Sequence, residues 1–180
     1  RTRNDAHKLI EECMLLANVA AAEYSLEHDI PMLYRVHEAP EFSRIQKVRD
    51  FVKLLGLPFP EQPTQADYQR VIEATKDRID APSIHAVLLR SMMQAYYGAN
   101  NAGHYGLAYE AYTHFTSPIR RYPDLLLHRA IKAYLDKKAY PLSGAALDDA
   151  GEHFSQTERR ADEASRSVTT WLKCHYMQQH

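Results

Sequence analysis

From Leu9 to Ala22 the chain reads LIEECMLLANVAAA, apolar on almost every side, and Glu11, Glu12 and Asn18 interrupt the wall. A run without a polar face predicts a buried helix rather than an amphipathic surface one. Asn4 or Asp5 can cap it, and the pattern carries it to about His28. PMLYRVHEA (31–39) then reads as a short extended segment, with Leu33, Tyr34 and Val36 as strand formers. Phe42 to Leu55 has apolar positions at Phe42, Ile45, Val48, Phe51, Val52 and Leu55, a helical spacing, with Gly56 placed as a stop. After the proline-rich loop GLPFPEQP, Thr64 to about Lys76 is a plainer amphipathic helix showing Tyr68, Val71, Ile72 and Thr75 on one side. Asp80 and Pro82 start another, IHAVLLRSMMQAYY, that stops at Gly98. ANNAGHYG is a turn-rich connector, and LAYEAYTHF (107–115) alternates loosely enough to be a strand. A helix from Pro118 to about Lys137, a loop through Pro141 and Gly144, and a last long helix from about Leu147 complete the chain. The expected class is α+β and helix-rich, with several long helices and a few short strands.

Composition narrows this picture modestly. In 180 residues, 45% hydrophobic, there is material for one sizeable core or two small ones. A formal net charge of −1 excludes a general polyanion binder acting through bulk charge, so any affinity for nucleic acid must come from local placement. Two cysteines, Cys13 and Cys174, form no C-x-x-C pair, which favours a reduced, cytoplasmic compartment. No apolar run reaches the roughly 18 residues of a membrane span, and no secretory leader is recognisable. RTRND without an initiator Met, and YMQQH still in helical composition, read as cut ends. A piece of a longer protein is therefore expected.

Local placement is unusual at residues 116–121. Thr116, Ser117 and Pro118 spell a helix start, with a hydroxyl cap and a proline at the first helical position. Arg120 and Arg121 then fall in the first turn, where the helix dipole disfavours cations by about 0.3–1 kcal/mol each. Guanidinium groups beside free backbone N–H groups make a recurrent phosphate site. Pro123 lacks the N–H that would bond Ile119, which sets the first turn partly apart. On this reading Ile119, Tyr122, Leu126, Ala130 and Ala133 form the packing face, and the competing reading of Arg120 is an ordinary surface pair with Asp124. Glu11 and Glu12, in an apolar wall, need a partner or a polar cavity. The ten histidines offer no H-E-x-x-H and no Cys/His quartet, so His104, His114 and His128 read as hydrogen-bonding scaffold and no metal ligand is assigned. Tyrosines crowd residues 96–122, mostly as core, with one or two available to stack on bases.

These residues also carry a resemblance. GHYGLAYEAYTHFTSPIRRYPDLLLHR (103–129) strongly resembles the signature of the RNB exoribonucleases, the family of bacterial ribonuclease II and ribonuclease R. NDAHKLIEECMLLAN resembles the segment preceding that signature, and TERRADEASRSVTTWLK the long helix closing the catalytic domain. RRYPD and ERRADEA bring the chain nearest to the ribonuclease R branch. The resemblance implies processive 3′→5′ hydrolysis of single-stranded RNA to nucleoside 5′-monophosphates with Mg²⁺. It makes Arg120 the catalytic arginine at the scissile phosphate and Glu12 a holder of the 3′-terminal nucleotide; Arg121, Tyr122 and Asp124 read as framing the site, and Ser117 is grouped with Glu12, Arg121 and Tyr122 as RNA-binding. The family's metal-binding aspartate motif has no match here, since the aspartates are scattered. Residues 1–180 are thus expected to be the C-terminal portion of one RNB catalytic domain, with the Mg²⁺ ligands and flanking OB-fold domains outside the chain. Single-stranded RNA and the rest of the parent polypeptide are the expected partners, with no DNA specificity and no membrane. The alternative is a non-catalytic RNA-binding or protein-interaction module derived from the same fold.

Overall fold

The structure, a computed structural model, describes residues 3–140 and 142–179. Pro141, expected in a loop, and the residues at the two ends lie outside the described residues. In chain order the elements are α1 (Asp5–Glu27), β1 (Tyr34–Val36), α2 (Phe42–Leu54), α3 (Gln65–Thr75), α4 (Ala81–Ser91), β2 (Tyr96–Gly98), a 3-10 turn (Tyr105–Leu107), α5 (Tyr122–Leu135) and α6 (Ala145–Gln179). No helix among the described residues is long and apolar enough to cross a membrane. The chain divides into two compact units, one of Arg1–Tyr34, Tyr96–Asn100 and Thr113–His180, the other of Arg35–Ala95 and Asn101–Tyr112.

The second unit is built on three short helices, each with a boundary that the chemistry explains. α2 ends at Leu54 with Leu55 as its C-cap residue, followed by Gly56 at φ +75°, a left-handed conformation that glycine adopts without penalty. α3 opens on Thr64, whose backbone N–H and hydroxyl both donate to the Asp67 carboxylate at 2.7 Å. Its inward stripe, Tyr68 and Val71, meets Val48 and Val52 of α2, Ile84 and Leu88 of α4, and Phe59 of the proline-rich loop. α4 stops at Ser91, short of the expected Gly98, because Met92 turns extended (ψ 148°) and its carbonyl accepts from Arg44 Nη1 at 3.2 Å. LAYEAYTHF is not a strand either. Ala108 takes a left-handed turn (φ 59°), and Tyr109 makes only an isolated bridge to His104.

In the first unit a small core of Leu33, Tyr97 and Leu147, flanked by Leu126, Leu142 and Phe154, joins β2 to the start of α6. Tyr96–Gly98 is extended rather than helical because α6 accepts it: Ser155 Oγ accepts the Tyr97 N–H at 2.8 Å and donates its own O–H to Gly151 O at 2.7 Å. Gly151 makes that approach possible, since a Cβ there would lie 2.7 Å from Tyr97 O and 3.0 Å from Leu33 Cδ2. We expect Gly151→Ala to be destabilising by about 1–2 kcal/mol, the helix propensity gained being smaller than the clash. Thermal unfolding should show Tm lowered by about 2–6 °C; an unchanged or raised Tm contradicts the close approach.

α1 departs most from expectation. Asn4 caps it, accepting from His7 N–H at 3.0 Å, but its first half is not buried: Leu9, Ile10 and Leu16 are 64%, 59% and 66% exposed. The hydrophobic pattern reads what a helix is built to cover, not whether the cover is present. Glu11 accordingly needs no polar cavity. It pairs at the surface with Arg3, whose guanidinium that carboxylate holds above its ordinary pKa.

Candidate functional site

The residues around Arg120 form a knuckle that is not the first turn of a helix. Pro118–Arg120 make a separate turn in which Ser117 O accepts the N–H groups of Arg120 (3.2 Å) and Arg121 (3.0 Å), and α5 begins only at Tyr122 with Arg121 as its cap residue. Two prolines compete for the helix start. Pro123 wins because a proline is free only in the first turn, and continuing a helix from Pro118 through Pro123 would cost the bond to Ile119. Asp124 falls in the first turn of α5, where a carboxylate is favoured. The packing face therefore moves to Pro123, Asp124, Leu127 and Ala130, while Ile119 and Tyr122 are exposed.

The two arginines separate completely. Arg121 is turned inward, its Nη2 donating to Asp124 Oδ1 at 2.8 Å, and Asp124 is fully buried. The competing reading of Arg120 as a surface partner of Asp124 does not hold among the described residues, where Asp124 pairs with Arg121 instead. Arg120 is exposed, and its guanidinium has no partner among the described residues. An exposed guanidinium on a short turn, with its charge uncommitted, can bind an oxyanion without first giving up an internal partner.

Ser117 is not a helix cap. Its N–H donates to Asp124 Oδ1 at 2.8 Å, so it joins the knuckle through its backbone. Tyr122 stands half exposed beside it, its ring tilted 51° to Phe154 at 5.5 Å, with the Arg129 guanidinium 5.9 Å from the ring centroid. Glu12 is exposed on α1, six residues or about 9 Å along the axis from Asn18. Asn18 is the residue of α1 that reaches the knuckle: its Oδ1 accepts the N–H groups of Phe115 (2.9 Å) and Thr116 (3.2 Å). The sequence flags Asn18 as an amide in an apolar wall without indicating what it bonds.

The histidines act as scaffold. His128 Nε2 donates to Phe115 O at 2.8 Å, its ring stacked on Phe115, and His114 Nδ1 lies 2.9 Å from the Tyr97 hydroxyl. In the second unit His37 and His104 stack at 5.1 Å, and each Nδ1 accepts a backbone N–H at 3.1 Å, from Gly106 and Leu107 respectively. Burial lowers both pKa values, with the charge of His37 adding to the effect on His104, which falls to about 4. Both rings are thus neutral in the fold and take up protons more readily when it opens. Their contribution to stability is complete above the unfolded value of about 6.5 and is lost as pH falls through the folded values, about 4 for His104 and below the ordinary imidazole value for His37. The amides of Gly106 and Leu107 should show less protection from hydrogen exchange at pH 5 than at pH 7, after correction for the intrinsic rate. Equal protection contradicts the assignment.

Among the described residues no three His, Cys, Asp or Glu side chains group to hold a metal ion. The carboxylate of the knuckle is engaged by Arg121 and Ser117. These residues do not fit a Mg²⁺ centre.

The RNB domain family matches residues 1–137. Ribonuclease R of Vibrio parahaemolyticus is 50% identical over 99% of this chain and 23% of its own length, and ribonuclease R of Escherichia coli is 48% identical over 97% and 23%. Mycoplasma genitalium RNase R, solved in complex with ribose methylated single-stranded RNA, superposes with a TM-score of 0.84 at 26% identity, over 96% of this chain and 28% of that one. Yeast Ssd1, described as a pseudonuclease, superposes with a TM-score of 0.74 at 27% identity, over 85% and 20%. The chain spans about a quarter of the length of the curated relatives it matches.

Proposed function

The chain belongs to the RNB domain family, and from that premise we propose that it is the C-terminal portion of the catalytic domain of a ribonuclease R-like 3′→5′ exoribonuclease. The observation that carries the reading is Arg120, an exposed guanidinium without a partner among the described residues, on a turn held by buried side chains. Its role is to meet the non-bridging oxygens of the scissile phosphate as negative charge grows on them, a task worth most in a site from which water is excluded. Glu12 and Tyr122, both exposed, are proposed contacts to the terminal nucleotides of single-stranded RNA. Arg121 and Ser117 are proposed to serve the RNA chiefly by framing the turn, Arg121 through Nη2 and Ser117 through its backbone N–H, both of which bond Asp124.

The rest of the parent polypeptide completes the site. Carboxylates there are proposed to hold Mg²⁺. Exposed apolar residues of α1 (Leu9, Ile10, Leu16) and α6 (Trp171, Leu172, Tyr176, Met177) support packing of that remainder on these helices. The cytoplasm is the proposed location.

The likeness to Ssd1, described as a pseudonuclease, favours a second reading: an RNA-binding module without catalysis. One assay decides between them. With Mg²⁺, the full-length parent should shorten 5′-labelled single-stranded RNA from its 3′ end and release nucleoside 5′-monophosphates. Binding without shortening favours the module.

A further inference from the structure

Four hydrogen bonds from side chains converge on the backbone of residues 115–117, and none of them is made by Arg120. Asn18 Oδ1 takes the N–H groups of Phe115 and Thr116, and Asp124 Oδ1 takes that of Ser117. His128 grips the carbonyl of Phe115, and Arg121 closes the arrangement on Asp124. Three successive N–H groups are therefore bonded to side chains from α1 and α5 rather than to a strand or a helix. Asn18 and Asp124 are 3% and 0% exposed, so neither is free to yield to solvent.

Ordinary loop anchoring predicts acceptors of this kind but not their cost. Asp124 is a buried carboxylate whose Oδ2 has no hydrogen-bond partner among the described residues, and Arg121 Nε and Thr116 Oγ1 are likewise unpartnered. A buried ion pair satisfied at one oxygen is a poor stabiliser, and a well-packed apolar residue commonly does as well or better. What the arrangement does supply is geometry. The carbonyl of Ser117, fixed by the bond on its own N–H, receives the N–H groups of Arg120 and Arg121, so the Cα of Arg120 inherits a fixed position and direction.

We infer that Asn18 and Asp124 are positioning residues for the hydrolytic step: by holding residues 115–121 they aim the Arg120 guanidinium at the scissile phosphate. The inference rests on the reading of Arg120 given above. Displacing a catalytic group by about 1 Å can cost up to about a hundred-fold in rate while leaving substrate binding through other contacts intact.

The test is a set of double-mutant cycles in the full-length parent with Mg²⁺ and single-stranded RNA, reading single-turnover rate and KM. Asp124→Asn keeps an acceptor for the Ser117 N–H but drops the charge facing Arg121. Asn18→Ser shortens the other acceptor, and serves alone should Asp124→Asn fail to fold. Each is made with Arg120 present and with Arg120→Ala, and assayed below its own unfolding midpoint. With Arg120 present, each should slow the single-turnover rate about ten-fold with KM changed less than about two-fold. In the Arg120→Ala background the further loss should be less than about two-fold. Equal losses in both backgrounds, or no loss with Arg120 present, overturn the inference and leave a structural role. If Arg120→Ala alone leaves the rate intact, the reading of Arg120 has failed and the inference with it, a result that the cycle displays separately.

Discussion

Arg120→Ala in the full-length parent should slow hydrolysis of single-stranded RNA by about 10²–10³-fold, or about 3–4 kcal/mol of transition-state stabilisation. KM should change much less, because a contact that strengthens as charge develops acts mainly on the chemical step. The structure gives the reason to expect an effect of that size. A guanidinium that had to leave an internal carboxylate would return part of what it gained at the phosphate, and Arg120 has no such partner among the described residues, whereas its neighbour Arg121 does. Arg120→Lys should recover only part of the loss, since an ammonium keeps the charge but not the planar fork that meets two phosphate oxygens. Single-turnover rates and RNA affinity measured on the same preparations decide the matter. Weakened binding with an unchanged rate would mean that Arg120 tethers RNA and does not assist the reaction.

Where local chemistry decides a boundary, the sequence was a good guide. Asn4, Gly56 and Thr64 mark the helix ends at which the structure places them. Tyr68 and Val71 lie in the core as their spacing requires. Where two local signals compete, or distant residues arbitrate, it was a poor one. TSPIRRYPD contains two legitimate helix starts, and the choice between Pro118 and Pro123 depends on a carboxylate that takes the Ser117 N–H. The helix expected to reach Gly98 gives way to a strand at Tyr96–Gly98 because a serine of α6 accepts from Tyr97. α1 misled for a third reason: its apolar surface is real, and most of its first half is exposed. At the site, Arg120 could be picked out as one of two neighbouring guanidinium groups, although the unfavourable first-turn position that drew attention to it does not exist, since α5 begins only at Tyr122. Its independence from Asp124 could not be read there, because the direction of a side chain after a proline-bracketed turn follows from the backbone bonds that Asn18 and Asp124 make.

The largest effect expected is complete loss. The 180 residues alone, supplied with Mg²⁺ and single-stranded RNA, should release no nucleoside 5′-monophosphate under conditions in which the full-length parent does. On the proposed reading the reaction would need carboxylates to hold Mg²⁺, which would supply Lewis-acid chemistry at the phosphate, and those carboxylates would come from the rest of the parent. Several acidic side chains of this chain have other employment. Asp124 bonds Ser117 and Arg121, Asp67 bonds Thr64 and Arg70, Asp80 pairs with Arg78 and Glu11 with Arg3. Freeing any of these for a metal would break a cap or an ion pair, and no three His, Cys, Asp or Glu side chains group to hold a metal among the described residues. On the proposed reading Arg120 would lower the barrier only for a nucleophile already in place, so without a metal site it should have nothing to accelerate. Product formed by the 180 residues, at a rate that follows Mg²⁺ and disappears with Arg120→Ala, would place the missing carboxylates within this chain and overturn the division of the site between it and the rest of the parent.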